Sequence, residues 1–148
     1  MKSTIKIKGK VKIELFDKDG KLKDVRDIAG NLVVDDGLSH IADQMSDQGE
    51  AQMSHMAIGV GTTAPDPSDT ALESELDRNA LTSVTQTDNE VEYIGDWAAG
   101  DGTGAITEAG IFNDPAAGTM LARITFAVIN KAANDQLRIT WTHTYSAA

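Results

Sequence analysis

Cysteine is absent from the 148 residues, which excludes a disulfide framework and any thiolate metal site. Long hydrophobic runs are missing too. No stretch approaches the roughly 18 apolar residues that a membrane helix needs, and no apolar run of signal-peptide length follows Met1. The expectation is a soluble protein that makes no membrane contact and carries no export signal of its own. No internal repeat, heptad or collagen-like period appears, so the chain offers a compact knob and not a fibre shaft. With 41% apolar residues over this length, it is large enough to bury a full core, and residues 1–148 read as a single β-rich domain.

Positive charge is scarce after residue 27. Nine Lys or Arg against five acids give the first 27 residues +4, whereas four against eighteen give the remainder −14, for the overall −10. An excess of carboxylates argues against direct nucleic-acid binding, which draws its affinity from neutralising phosphates with Lys and Arg. Residues 1–29 form a basic β-hairpin or arm on an acidic body.

What the chain does have is alternation. From Ile5 to Leu15 the odd positions are almost all apolar and the even positions Lys6, Lys8, Lys10, Lys12 and Glu14 are charged, the period of two that sends neighbouring side chains to opposite faces of a strand. Asp17–Gly20 reads as a hairpin turn and Lys21–Ile28 as the return strand, with a bulge or early end because Leu22, Val25 and Ile28 are three apart. One short helix is expected over about 36–46, capped by Asp35 or Asp36 and burying Leu38, Ile41, Ala42 and Met45. Asp47–Gln52 reads as a loop and Ser68–Asn79 as a helical turn or an irregular crossing. The second half alternates strands with clusters of turn formers: Val84, Val91–Trp97, Ile106–Phe112, Met120–Ile129 and Gln136–Tyr145. In the last, Leu137, Ile139, Trp141, His143 and Tyr145 face one way. Eight or so strands with one helix predict an all-β fold, a two-layer β-sandwich or jelly roll, and the lack of crossover helices excludes a parallel α/β sheet.

Gly59, Gly61 and Ala64 fall at the dinucleotide spacing G-x-G-x-x-A after the apolar run Met56–Val60. A fingerprint of that kind must open a helix, whereas here "TTAPDPSD" follows, with two prolines and two acids. The stretch reads as a strand end and a surface loop. Asp17, Asp19 and Asp24 miss the ligand spacing of an EF-hand, and His40, His55 and His143 share no metal-ligand spacing. The acidic loops around Asp66, Asp69 and Asp77, and around Asp96 and Asp101, read as solubilising charge, with a calcium at a subunit contact as the alternative. Ser39, His40 and Asp43 sit on one helix with Ser39 and His40 pointing about 100° apart, so they form no nucleophile–base pair. Nothing places the carboxylates Glu73 and Glu75, or Glu90 and Glu92, in a cleft. No catalytic, cofactor or metal residue is assigned, and no enzymatic activity is expected.

Four segments occur in order: "NLVVDDGLSHIADQM", "MAIGVGTTAPDPSDTALESELDRNALTSV", "GAITEAGIFNDPAAGTMLARITF" and "INKAANDQLRITWTHTYS". Their order resembles a widespread group of small virion proteins of tailed bacteriophages, often labelled tail-fibre or structural proteins. The resemblance covers roughly residues 30–146. It implies a virion component without enzymatic activity, assembled in the host cytoplasm. The compact size tilts this towards a capsid decoration or cement protein that binds the major capsid protein or another virion protein and itself, as a trimer. A small tail, neck or fibre-tip component is the alternative, and a cellular carbohydrate-binding module a third class. The candidate partner-binding residues are Lys6, Lys8, Lys10 and Lys12, which either dock on an acidic neighbour or guard a sheet edge.

Overall fold

A computed structural model describes residues 1–148. Two five-stranded sheets, antiparallel at every pairing, lie face to face, the two-layer β-sandwich that the alternation predicts. Sheet A runs β2-β1-β10-β7-β6, built from β1 (Ile5–Phe16), β2 (Leu22–Ala29), β6 (Ser83–Thr87), β7 (Glu90–Trp97) and β10 (Gln136–Ala147). Sheet B runs β3-β9-β8-β4-β5, from β3 (Leu32–Val33), β4 (His55–Gly59), β5 (Glu75–Ala80), β8 (Gly104–Phe112) and β9 (Met120–Lys131). One helix, α1 (Asp35–Ser46), follows β3.

The first and last strands pair antiparallel from Ile5↔Ala147 to Phe16↔Gln136, so both chain ends are tied into sheet A. Alternation then sorts the side chains. Val11, Ile13, Leu15, Tyr93, Trp97, Leu137, Ile139 and Trp141 point inward and meet Met56, Ile58, Ile106, Ile111, Leu121 and Ile129 from sheet B in one buried cluster. The turn after β1 forms as expected. The Asp17 carboxylate accepts from the backbone N–H groups of Asp19 and Lys21, and Gly20 takes a positive φ of 78°. The register shifts between Leu15 and Phe16, supplying the expected bulge.

Two expectations are corrected. Ser68–Asn79 is no helical turn: residues 68–74 cross over as a loop and Glu75–Ala80 is an edge strand. For α1, the N-cap is Val34, and neither Asp35 nor Asp36 caps it with its side chain. The inward face is also rotated from the expected one: Ile41 packs against the core as expected, but its inward neighbours are Gly37 and His40, while Leu38, Ala42 and Met45 are exposed. Gly37 decides this, because its missing Cβ lets the helix rest directly on the Leu121 backbone. Together, α1 and the loop over residues 60–74 cover the outer face of sheet B. A second cluster, Val34, Ala57, Leu72, Phe112 and Met120, is sealed beneath them, so β8 is buried on both faces and does not alternate.

Candidate functional surface

The glycine turn after β4 does meet an anion, and the anion is internal. Glu108, wholly buried on β8, accepts from the backbone N–H groups of Gly61 (3.0 Å), Ser74 (2.8 Å) and Glu73 (3.0 Å). A Cβ at Gly61 would stand 2.6 Å from the carboxylate oxygen, and one at Gly59 2.5 Å from it. The glycines are thus required by a carboxylate of the chain itself, which fills the place that a phosphate takes in a nucleotide fold. Arg123 of β9 completes the cluster: its Nε donates to Glu108, one terminal nitrogen to Asp69 and the other to the Thr63 carbonyl, all at 3.0 Å. Both partners are desolvated and paired in two places, as a buried charge requires. The "ITEAGIF" and "GTMLAR" segments therefore contribute a strut that holds the 60–74 loop onto the sandwich. Sequence reasoning passed over both residues, although a lone Glu and a lone Arg inside two otherwise apolar strands were the signal.

A second polar node lies inside sheet A. Gly9 leaves a gap in the inward row of β1, and the Asn31 side chain occupies it. Its Oδ1 accepts from Trp141 Nε1 at 3.0 Å and from His143 Nε2 at 3.1 Å. Because an indole N–H can only donate, Trp141 fixes which way the amide points, and the amide in turn fixes the His143 tautomer with its proton on Nε2. Burial pushes the His143 pKa from its ordinary 6.5 down to about 4. His143 is the hydrogen-bonded core histidine that its strand position predicts.

The remaining candidates are dispersed. His40 bonds Glu50 at 2.8 Å, and His55 bonds Ser54 at 2.8 Å. Asp24 pairs with Arg26 and Asp96 with Arg138, while Asp66 accepts from Ser68 and Asp69 belongs to the Arg123 cluster. Three or more potential metal ligands converge nowhere. A surface depression of about 490 Å³ lies at the end of sheet A among Glu14, Asp96, Trp97, Gln136 and Arg138, and its Asp96 and Arg138 are occupied with each other.

Lys6, Lys8, Lys10 and Lys12 stand in one row on the outer face of sheet A, all exposed and none in an ion pair. The cross-strand register puts Thr144, Thr142 and Thr140 of β10 beside Lys8, Lys10 and Lys12. Glu90, Glu92 and Ile94 of β7 follow on the far side of the threonines. This outer face is uncovered by any other element of the chain, in contrast to the outer face of sheet B. The guarding role keeps part of its ground: β2 covers β1 only from Lys10 to Phe16, so Lys10 and Lys12 lie within the sheet, whereas Lys6 and Lys8 stand on a stretch paired with β10 alone.

Comparisons with known protein families, with curated proteins and with solved structures find no match to this chain.

Proposed function

We propose that this chain is a non-enzymatic structural protein of a tailed-bacteriophage virion, a decoration protein that docks on the capsid shell through the outer face of sheet A. The observation that carries the reading is the row of four exposed lysines, outside every ion pair, on the uncovered face of sheet A. Four like charges held in line at the spacing of alternate strand residues, about 6.6 Å, repel one another, and no ion pair within the chain offsets that repulsion. An acidic partner surface gives them a use, and such patches set orientation and association rate. The resemblance of residues 30–146 to small phage virion proteins supplies the partner class, the major capsid protein or another virion component. Glu108 and Arg123, from the "ITEAGIF" and "GTMLAR" segments, hold a loop in place, which fits a protein kept for its shape.

Immunolabelling of intact virions with an antibody to this protein tests the proposal. Regular label over the head is expected. Label confined to neck, tail or fibre tips would replace the decoration role by that of a small tail component. Particles without label would remove the protein from the virion.

A further inference from the structure

The sandwich has four sheet edges, and three of them are guarded against further pairing. The β2 edge carries Lys23, Asp24, Arg26 and Asp27, and where β2 stops the uncovered half of β1 carries Lys6 and Lys8. The β5 edge carries Glu75, Asp77 and Arg78. At the third edge β3 is two residues long, and beyond it the β9 carbonyls of Ala127 and Val128 accept from the Arg26 guanidinium. The fourth edge is β6, "SVTQT", which has no charge, no proline and no bulge; four of its five residues are exposed, and Val84 is 50% open to solvent.

We propose that β6 pairs antiparallel with β6 of a second copy of this chain, about a two-fold axis through Thr85, joining the two A sheets into one ten-stranded sheet. The absence of charge singles out a second copy as the occupant. A strand that meets its own image across a two-fold brings every side chain opposite one from the same short segment, so a charge on the axis would confront its like and a lone charge elsewhere would be left opposite an uncharged residue. Here Val84 meets Gln86, Ser83 meets Thr87, and Thr85 meets itself, all uncharged and within reach of hydrogen bonds or packing. In a chain of net charge −10, an uncharged strand is where two copies approach with least repulsion. Pairing also covers the exposed flank of Val84 and satisfies the outward backbone groups of the edge.

The consequence for docking rests on the lysine-row reading above; the pairing itself does not. The two-fold stands perpendicular to the joined sheet, so both lysine rows lie on the same side of it. They are splayed by the sheet twist and separated by seven strand spacings, roughly 34 Å along the sheet. A surface that binds one row then holds the second at high effective concentration.

Sedimentation velocity over a concentration series tests the pairing on the purified chain. The wild type is expected to pass from monomer to dimer. Val84→Lys with Gln86→Lys sets lysine opposite lysine and should weaken association at least tenfold, whereas Val84→Lys with Gln86→Glu sets lysine opposite glutamate and should retain it. Thr85→Lys, on the other face, should weaken it independently of any fold defect in the doubles. A wild type monomeric up to about 1 mM, or a dimer indifferent to the like-charge variants, would overturn the proposal. Replacing Lys6, Lys8, Lys10 and Lys12 by Gln leaves the edge intact, so dimers that form but no longer dock, or chains that dock as monomers, separate the two readings.

Discussion

The Asn31 side-chain oxygen occupies the space that a Cβ on residue 9 would fill. One atom thus ties β1, the β2–β3 connection and β10 together, because the same oxygen accepts from Trp141 and His143, and the Gly30 N–H donates to the Gly9 carbonyl at 2.8 Å. Gly9→Ala expels the amide and leaves two buried donors without an acceptor. Each costs about 1–3 kcal/mol. The variant should therefore lose about 2–6 kcal/mol in urea unfolding, far beyond the usual effect of adding one methyl group to a strand. Asn31→Ala combined with Gly9→Ala restores the space but not the acceptor and should remain well below wild type.

Glu108 binds three backbone N–H groups as well as Arg123. This separates it from an ordinary buried ion pair, which hydrophobic residues of similar size often replace without loss. Glu108→Leu with Arg123→Met should stay destabilised by about 3 kcal/mol or more, since the N–H groups of Gly61, Glu73 and Ser74 are then orphaned. Amide exchange over residues 60–74 should accelerate more than exchange in sheet A. A double variant of near wild-type stability would mean that the loop is held instead by the packing of Leu72 and by the Asp35 N–H that donates to the Pro67 carbonyl at 2.8 Å.

Period-two alternation made sheet A legible because one of its faces is wet, and β1 and β10 carry the pattern over their whole length with a single apolar gap at Gly9 and a polar inward residue at His143. Sheet B was harder to read, being covered on both sides: β8 buries Glu108, Ala109, Gly110, Ile111 and Phe112 in succession. β5 escaped because Leu72 and Leu76 stand at helical spacing, whereas in the fold Leu72 enters the small cluster under the loop and Leu76 is exposed at the sheet edge. The inward face of α1 was misread for a related reason. Hydrophobicity favoured Leu38 and Met45, but close approach to Leu121 required the glycine at position 37. Tertiary contact overrode side-chain preference in both places. The lysine row needed no such context, since its exposure follows from alternation alone.

Below neutral pH, His143 should dominate the first loss of stability. Burial holds its pKa near 4 in the folded protein against 6.5 in the unfolded chain, so the unfolded state binds the extra proton as the pH falls. The contribution is fully present above about pH 6.5, declines as the pH drops through 6 and 5, and levels off below 4. A shift of this size corresponds to about 3 kcal/mol. Asp135, held low by its hydrogen bond to Lys23, acts in the same direction but below its ordinary 3.8, outside the upper part of the window. Chemical denaturation from pH 7 to pH 5 should therefore show a slope in the wild type that His143→Phe removes. Equal slopes in both proteins would assign the effect to carboxylates.

Electrostatic docking makes its own demand on the lysine row. Lys6, Lys8, Lys10 and Lys12 are exposed and outside every ion pair, so changing all four to Gln should leave the unfolding free energy within about 0.5 kcal/mol per site. Association with capsids lacking the protein should slow about tenfold or more at low salt. Wild-type association should itself slow as salt rises, because charges beyond a screening length cease to interact. The variant should show a nearly flat salt dependence, and the two rates should converge at high salt. Interferometry on immobilised capsids at low and high ionic strength measures both. Rates that are equal at every salt concentration would take the lysines out of the docking surface and leave the threonine row of β10 as the part of sheet A to examine for direct contact.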